Sequence, residues 1–148
     1  MQIIQCNEQY LAQLVILFEE YRLFCNFKAN PKATEKFLRS LIIGEDSVIF
    51  IAVDSDSDEL MGFVNLYPSY SSLALKRLWI LNDLGVSQNF RGKNVSKALI
   101  SRVLSFAKET HAVRIELKTE KTNERALQLY KTMGFEIDID NVYYRVPS

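Results

Sequence analysis

Residues 81–110 read LNDLGVSQNFRGKNVSKALISRVLSFAKET, and this stretch decides how the rest of the chain is organised. Its first residues are mostly apolar and predict a strand that ends at Val86. A polar loop with Arg91, Gly92 and Lys93 follows. Apolar residues then recur at intervals of three and four, which predicts an amphipathic helix. The apolar stripe of that helix consists of Val95, Ala98, Leu99, Val103, Phe106 and Ala107, with the stem of Arg102 beside it.

The loop over residues 87–94 joins a strand end to a helix start, and this geometry favours an anion. Backbone N–H groups in the first helical turn have no partner within the helix, and the positive end of the helix dipole lies behind them. Arg91, Lys93 and Lys97 flank the turn. Three such cations usually indicate an ordinary solvated surface. Their position at a helix start instead predicts a phosphate site.

Length and charge limit the possible classes of protein. The 148 residues suit a single domain over 1–148, and 18 basic residues balance 18 acidic ones. Proteins that bind nucleic acid normally carry a basic excess, so we expect no nucleic-acid partner. No apolar run reaches the roughly 20 residues that span a bilayer, and the N-terminus does not resemble a signal peptide. We therefore expect a soluble cytoplasmic protein that does not bind membranes.

The cysteines and the acidic run indicate no metal site. Cys6 and Cys25 lack metal-ligand spacing and are expected to be free thiols in a reducing compartment. The run DSDSDE over residues 54–59 alternates aspartates, but it lacks the glycine and the closing glutamate of a calcium loop. We interpret it as a solvated hairpin turn.

Around the central stretch, the sequence predicts alternating strands and helices. Asn7 and Asn30 are expected to cap the first two helices, Pro31 to start the second one, and Gly44 to end it. Thr122 or Asn123 opens a last helix, which Gly134 ends. Strands are predicted at 1–6, 47–53, 60–67, 73–86, 113–119, 135–139 and 142–146, with a turn-forming stretch at 67–72.

This order of elements resembles the GNAT superfamily of N-acetyltransferases. The resemblance covers essentially the full length in element order and is specific from about Trp79 to Phe135. It implies an α/β protein with a mixed sheet, the acyl-CoA N-acyltransferase fold, in the order β-α-α-β-β-β-α-β-α-β-β. Three motifs carry the resemblance: the phosphate loop Arg91, Gly92, Lys93, Asn94, Val95, Ser96; the strand residues Leu84 and Val86; and the signature Asn123, Ala126, Leu129, Tyr130, Gly134, Phe135.

Three positions depart from the pattern of the family. The loop pattern of the family has glycine at position 94 and a small residue at position 96, where this chain has Asn94 and Ser96. Asparagine tolerates positive φ best after glycine, so the loop geometry is expected to survive. Ser96 could donate to a phosphate oxygen or cap the helix. Gly85 stands where an aromatic residue is common, and it could open space beside the acetyl group or weaken the strand.

The resemblance implies acetyl-CoA as the cosubstrate, with no metal. Backbone N–H groups of residues 91–96 would bind the pyrophosphate, and Leu84 and Val86 would pair with the pantetheine arm. A backbone N–H near Val86 would polarise the carbonyl, in a gap between the strands predicted at 73–86 and 113–119. Asn123 and Tyr130 complete the expected cofactor site.

Tyr130 is the candidate acid for the departing sulfur. A phenol with a pKa near 10 would protonate a thiolate with a pKa near 8.5 at a cost of roughly 2 kcal/mol, so the tyrosine would help without being required. Without the surrounding signature, helical spacing would indicate a core residue instead.

Asp83 is the candidate residue for handling the amine, with Asn82 beside it. An alkyl ammonium with a pKa near 10.4 is almost fully protonated at pH 7, and losing its proton costs roughly 4 to 5 kcal/mol. Since an anionic aspartate favours the charged amine, we expect Asp83 to recognise a cation while water relays the proton. Some relatives that acetylate polyamines carry an acidic pair here, which Asn82 breaks. Glu116 is a weaker alternative, and His111 is expected at the surface.

Aromatic residues supply the remaining substrate contacts. Phe24 and Phe27 lie at the joint of the first two helices, and Tyr67 and Tyr70 follow a strand. Their ring faces could hold an ammonium group, or they could be ordinary packing residues.

These features predict an N-acetyltransferase that moves an acetyl group directly to a primary amine of a small molecule, such as an amino acid or a polyamine. Two alternatives stay open: a catalytically weak CoA-binding or protein-interaction module, and an acetyltransferase for protein amines. We expect a homodimer, from the family resemblance and the general frequency of twofold dimers.

Overall fold

The computed structural model describes all 148 residues of the chain. By its contacts the chain divides into two compact units, Met1–Lys118 and Thr119–Ser148. The expectation of a single domain over residues 1–148 stays a prediction. No helix in the chain combines the length and the apolar character that crossing a bilayer requires.

The first unit contains a five-stranded mixed sheet with helices on both faces, and this confirms the predicted α/β class. The strands lie in the order β1-β2-β3-β4-β5, antiparallel except for the parallel pair β4 and β5. The elements are β1 Gln2–Gln5, α1 Leu11–Phe24, α2 Pro31–Ile43, β2 Val48–Val53, β3 Leu60–Ser71, β4 Lys76–Val86, α3 Val95–Glu109 and β5 Ile115–Glu116.

Two apolar layers hold the helices to the sheet, because alternate strand residues point to opposite faces. Phe63 of β3 packs in the layer with α1 and α2, and its neighbour Val64 packs in the layer with α3. The predicted stripe of α3 is buried at its core positions, which are Val95, Leu99, Val103 and Ala107. The hydrophobic periodicity therefore predicted the buried face of α3 correctly.

The predicted helix ends agree with the structure. Asn30 caps α2 by accepting a hydrogen bond from the N–H of Ala33 at 3.3 Å, Pro31 is the first helical residue, and Gly44 follows the last. Asn7 also caps, although it opens a short 3-10 turn that precedes α1.

The turn predicted at residues 67–72 is wrong, because β3 continues to Ser71 and the chain turns only after it. Pro68 lies within this extension, opposite Trp79 of β4. Strand β2 begins at Val48, which is opposite Leu66, so β3 has a neighbour on one side only beyond that point. A proline there does not interrupt a second ladder of hydrogen bonds.

The strand predicted at 113–119 is much shorter than expected. Only Ile115 and Glu116 form β5. This shortening leaves most of β4 without a neighbour on that side.

The second unit, Thr119–Ser148, contains one helix, α4 Glu124–Thr132, and no strand. The strands predicted at 135–139 and 142–146 are therefore absent. A strand needs a partner for its backbone hydrogen bonds, and these two segments do not pair with each other. The Asp138 carboxylate instead accepts hydrogen bonds from the backbone N–H groups of Asp140, at 2.9 Å, and Asn141, at 3.2 Å. Such local bonds compete with a strand ladder.

Candidate active site

The loop before α3 has the backbone conformation that the sequence predicted. Gly92 has φ of 77°, and Asn94 has φ of 60° and ψ of 25°, which is the left-handed region. Glycine and asparagine are the residues that adopt this conformation most readily. Asn94 therefore keeps the loop geometry without the glycine that the family pattern has at this position.

The first turn of α3 presents unpaired backbone donors. The first N–H bonded along the helix is that of Ala98, which donates to the Asn94 carbonyl at 3.1 Å. The N–H groups of Val95, Ser96 and Lys97 precede it and have no helical partner. A Cβ added at Gly92 would meet no atom within 4 Å, so the approach to the loop is open on that side.

The cations of the loop are not paired with carboxylates. Arg91, Lys93 and Lys97 take part in none of the five ion pairs of the chain. The Arg91 guanidinium lies over the Phe24 ring at 5.6 Å, and the Lys93 ammonium lies over the Phe90 ring at 5.4 Å. Unpaired donors, positive charge and an open approach together fit a phosphate or pyrophosphate group.

The sheet opens beside this loop, between β4 and β5. The two strands pair only at Trp79 with Ile115 and at Ile80 with Glu116. Beyond these pairs, residues 81–86 of β4 have no neighbour on the β5 side. The resemblance implied such a gap, and the structure confirms it within the first unit.

A β-bulge at Asn82 decides which side chains of β4 face which helices. Asn65 of β3 is opposite Asp83, and the next residue of β3 is opposite Leu81, so Asn82 is the extra residue. Because of this insertion, Leu81 and Leu84 both pack on the α3 side although they are three positions apart. Asp83 consequently faces α1.

The Asp83 carboxylate accepts three hydrogen bonds from neutral groups. The Tyr21 hydroxyl donates to Oδ1 at 3.1 Å, Asn65 Nδ2 donates to Oδ2 at 2.9 Å, and Asn82 Nδ2 donates to Oδ2 at 3.0 Å. No lysine or arginine forms an ion pair with it. The site therefore holds an unneutralised negative charge in a polar cluster between α1 and the sheet.

Two residues of this cluster were not predicted as site residues. Tyr21 fitted the apolar face of α1, where a phenol usually packs as a core residue. Asn65 is the single polar residue in the apolar stretch LMGFVNLY over 60–67, and this isolated polarity was the available signal.

The tyrosines of the cluster stay protonated at neutral pH. Burial, and then the negative charge of Asp83, raise the pKa of Tyr21 far above its ordinary value. Burial and the Asp83 charge also raise the pKa of Tyr67, against an opposing effect of the Asn65 amide. Both phenols therefore keep their protons at neutral pH, and the Tyr21 hydroxyl donates its proton in the bond to Asp83.

The space at Gly85 is filled. A Cβ at this position would lie 2.6 Å from Cε1 of Phe63 and 3.3 Å from Cδ1 of Tyr21. Of the two expectations for Gly85, open space beside the acetyl group is therefore wrong. The missing side chain leaves room for the Phe63 ring and for close packing of the Tyr21 ring.

Three of the predicted aromatic contacts already face a guanidinium group of the chain. Besides Phe24 under Arg91, the Arg22 guanidinium lies over Phe27 at 5.8 Å and the Arg77 guanidinium lies over Tyr70 at 5.6 Å. A substrate ammonium would compete with these groups for the ring faces. The fourth predicted aromatic residue, Tyr67, lies close enough to Asp83 for the carboxylate charge to raise its pKa.

The signature of the second unit forms the two ends of α4. Asn123 caps the helix by accepting a hydrogen bond from the N–H of Ala126 at 3.1 Å. At the other end, Gly134 has φ of 96°, and the Phe135 N–H donates to the Tyr130 carbonyl at 3.0 Å. This is a Schellman motif, and the Tyr130 and Phe135 rings pack edge to face at 5.7 Å across it.

Burial raises the pKa of Tyr130, so its phenol is protonated at neutral pH. The packing of its ring on Phe135 gives Tyr130 a structural role in its own unit. Its role as an acid stays a prediction.

The remaining candidates have ordinary surroundings. Glu116 is paired with Arg114 at 2.5 Å, as expected for the weaker alternative. His111 lies just beyond α3 with φ of 56°. No group of three or more histidine, cysteine, aspartate or glutamate side chains is arranged to hold a metal ion.

Known proteins resemble the chain over almost its full length. The model of the family described as the acetyltransferase (GNAT) family matches residues 14–135. The uncharacterized N-acetyltransferase YhfO of Bacillus subtilis is 35% identical, over 97% of this chain and 95% of that protein. A probable acetyltransferase of Haemophilus influenzae is 33% identical, over 93% and 92%. The crystal structure of a probable acetyltransferase superposes with a TM-score of 0.96 at 39% identity, covering 100% of this chain and 98% of that chain.

Proposed function

Because the chain belongs to the GNAT family of acetyltransferases and is an N-acetyltransferase, we propose that it acetylates a primary amine of a small molecule, such as an amino acid or a polyamine, with acetyl-CoA as the donor. One observation carries the choice of acceptor. Asp83 is an anion with neutral partners only, and it lies on the part of β4 that borders the gap in the sheet. Such a group attracts a cation, and an alkyl amine is a cation at neutral pH.

The loop before α3 is the proposed binding site for the pyrophosphate. The N–H groups of residues 91–96 supply its donors, and Arg91, Lys93 and Lys97 add positive charge. Leu84 and Val86 lie on the open edge of β4, where the pantetheine arm can pair with the backbone. Asn123 and Tyr130 are proposed as further cofactor contacts, as the family resemblance implies. Acetyl-CoA itself supplies an activated thioester.

The chemistry is proposed as direct transfer. The amine nitrogen attacks the thioester carbonyl, a C–N bond forms and the C–S bond breaks. The ammonium group loses one proton to water before the attack and a second one after the C–N bond forms. The sulfur takes one proton from the Tyr130 phenol, which water then reprotonates. A backbone N–H near Val86 is suited to polarise the carbonyl.

Asp83 is proposed to recognise the acceptor and not to deprotonate it. An anion beside an ammonium group favours the charged form, which is the unreactive one. Deprotonation of the ammonium group costs roughly 4 to 5 kcal/mol at pH 7, and water at the gap can take this proton. Asp83 then contributes by concentrating and orienting the acceptor.

A thiol-release assay tests this proposal. The protein is incubated with acetyl-CoA and a panel of amino acids, diamines and polyamines while free CoA thiol is followed. We expect amine-dependent release with the wild-type protein and a much higher KM for the amine in Asp83→Asn. The proposed acceptor class would be contradicted if no amine of the panel caused thiol release. It would also be contradicted if Asp83→Asn left the KM for the amine unchanged.

We also propose that the protein is a homodimer and that it is located in the cytoplasm. Sedimentation equilibrium tests the first of these proposals, and a monomer at micromolar concentration would contradict it.

A further inference from the structure

Asn65 is a buried side chain with one hydrogen-bonding atom left unused. It is 0% exposed, and its Nδ2 donates to Asp83, but its Oδ1 accepts no hydrogen bond. A buried acceptor without a partner destabilises the folded protein, so native structures contain few of them. Such an atom needs an explanation.

The orientation of this amide is fixed by its neighbour. The Asp83 carboxylate accepts hydrogen bonds and cannot donate one. Turning the Asn65 amide over would place its oxygen against the carboxylate oxygen and would break the 2.9 Å bond. The unused acceptor is therefore a consequence of the hydrogen bond to Asp83.

We infer that Asn65 determines the specificity of the acceptor site, because its Oδ1 accepts a hydrogen bond from the amine that Asp83 holds. This inference rests on the proposed function and adds a second contact to it. A neutral primary amine has two N–H groups and one lone pair. When the Asp83 carboxylate and Asn65 Oδ1 accept the two N–H groups, the lone pair is free to face the acetyl carbon.

The position of Asn65 suits this role. Asn65 and Asp83 are opposite each other in the register of β3 and β4, directly beside the bulge at Asn82. Asp83 and Tyr21 are only partly buried, so the amide lies one layer below the surface. Asn65 Oδ1 has no accessible surface in this arrangement, so the amine reaches it only when the Tyr21 hydroxyl moves away from Asp83. The Tyr21 bond to Asp83, at 3.1 Å, is the longest of the three, and the inference is that an N–H group of the amine replaces it on Asp83 Oδ1.

This arrangement predicts a preference for primary amines. A secondary amine has one N–H group in its neutral form, so it satisfies Asp83 or Asn65 but not both. A site with a buried polar group discriminates strongly against a ligand that leaves the group unpaired.

Asn82 provides a matched control for Asn65. Both asparagines donate through Nδ2 to the same oxygen of Asp83, at 3.0 and 2.9 Å, but Asn82 is exposed. Asn65→Leu and Asn82→Leu therefore each remove one hydrogen bond to the carboxylate. Only Asn65→Leu removes the buried acceptor.

The experiment compares kcat/KM for primary amines and their N-methyl analogues. The probe pairs are alanine with N-methylalanine, and 1,4-diaminobutane with its N,N′-dimethyl form. We expect the preference for the primary amine to fall about tenfold or more in Asn65→Leu and to persist in Asn82→Leu. The inference would be overturned if Asn65→Leu preferred the primary amine as strongly as the wild-type protein does. It would also be overturned if Asn65→Leu and Asn82→Leu lost this preference to the same extent.

A second measurement does not depend on the folding of a variant. In the wild-type protein, the side-chain amide of Asn65 is followed by NMR while 1,4-diaminobutane is added without acetyl-CoA. We expect its carboxamide signals to shift on saturation with the diamine, and no shift at saturation would overturn the inference. Wild-type turnover of amines with negative results for Asn65 would leave the proposed function intact, whereas the absence of any turnover would count against the proposed function itself.

Discussion

The phenol of Tyr21, on α1, donates a hydrogen bond to the Asp83 carboxylate, on β4, across 3.1 Å. The two residues are 62 positions apart in the chain, and the contact joins a helix to the edge of the gap in the sheet. Gly85 packs beneath this contact, since a Cβ there would lie 2.6 Å from Cε1 of Phe63 and 3.3 Å from Cδ1 of Tyr21. The surroundings keep the phenol protonated far above its ordinary pKa.

Tyr21 should make the protein sensitive to alkaline pH. In the unfolded chain a tyrosine deprotonates near pH 10, whereas the folded protein retains this proton. The contribution of Tyr21 to the free energy of unfolding is complete below about pH 10. It is lost as the pH rises further, because the unfolded state then binds fewer protons than the folded state. Urea unfolding between pH 8 and 11.5 should show that the wild-type protein loses stability more steeply than Tyr21→Phe.

The difference in slope should not exceed the one-proton limit of about 1.4 kcal/mol per pH unit, because the two proteins differ by a single titrating group. Identical slopes for the two proteins would contradict the raised pKa of Tyr21.

Glu19 should stabilise the joint between α1 and α2. Its buried carboxylate accepts hydrogen bonds from Thr34 Oγ1 at 2.5 Å, Arg22 Nη1 at 2.7 Å and the Asn30 backbone N–H at 2.7 Å. The Thr34 bond, and then those of Arg22 and Asn30, lower its pKa against the opposing effect of burial. We expect Glu19→Gln to lower the free energy of unfolding at pH 7 by about 1 to 3 kcal/mol.

This loss should depend on pH with a defined sign. A lowered pKa gives stability above the unfolded value of about 4.3, and the stability disappears as the pH falls through the folded pKa. The difference between wild type and Glu19→Gln should therefore shrink below about pH 4. Glu35→Gln is the control, since it breaks an exposed pair with Arg39 and should cost about 0.5 kcal/mol or less.

The left-handed conformation of Asn94 should matter for both stability and acetyl-CoA. We expect Asn94→Ala to destabilise the protein by about 1 kcal/mol, and Asn94→Gly to have little effect. Calorimetric titration should show weaker acetyl-CoA binding for the alanine variant only. Asn26→Ala is the matched control, because Asn26 also has a left-handed backbone, with φ of 67°, outside the loop. It should lose similar stability and keep its affinity for acetyl-CoA.

Gly85→Ala should disturb the packing around Tyr21. Its Cβ would lie 2.6 Å from the Phe63 ring, and overpacking of this kind costs about 1 to 3 kcal/mol. The double variant with Phe63→Leu should recover part of the loss, because the shorter side chain removes the closest contact. Thermal unfolding of the single and double variants measures this, and an unchanged melting temperature for Gly85→Ala would refute the close packing.

Tyr130→Phe should separate the chemical role of the residue from its structural role. The ring is retained, so its packing on Phe135 in the Schellman motif should persist and the melting temperature should change little. Loss of the acid should lower kcat. Because burial raises the phenol pKa and makes it a weaker acid, we expect this fall to be limited to about 10-fold to 100-fold at pH 7. An unchanged kcat would remove Tyr130 from the mechanism.

Features set by a few neighbouring residues were predictable. Asn30 and Pro31 start α2, Gly134 ends α4, and Asn94 takes positive φ, because each depends on the backbone preference or side-chain reach of the residue itself. The backbone conformation of the loop before α3 belongs to this group. The donors of this loop are the backbone N–H groups in the first turn of α3, which have no partner within the helix, and this depends on no distant residue.

Features that require a distant partner were predicted poorly. The apolar alternation at 135–139 and 142–146 predicted strands, but a strand forms only against a partner, and the two segments do not pair with each other. Pro68 suggested a turn, although in the fold it lies where β3 has a single neighbour.

The sequence by itself determined the α/β class, the order of the helices and the loop that presents its amides before α3, since local backbone preferences and hydrophobic periodicity encode them. Only the tertiary structure decided that Tyr21, Asn65 and Asp83 form one cluster. The bulge at Asn82 turns Asp83 toward α1, and the absence of a side chain at Gly85 leaves room for the Phe63 and Tyr21 rings beside it. Such contacts join residues far apart in the chain, and they arise only when the packing of α1 on the sheet brings those residues together.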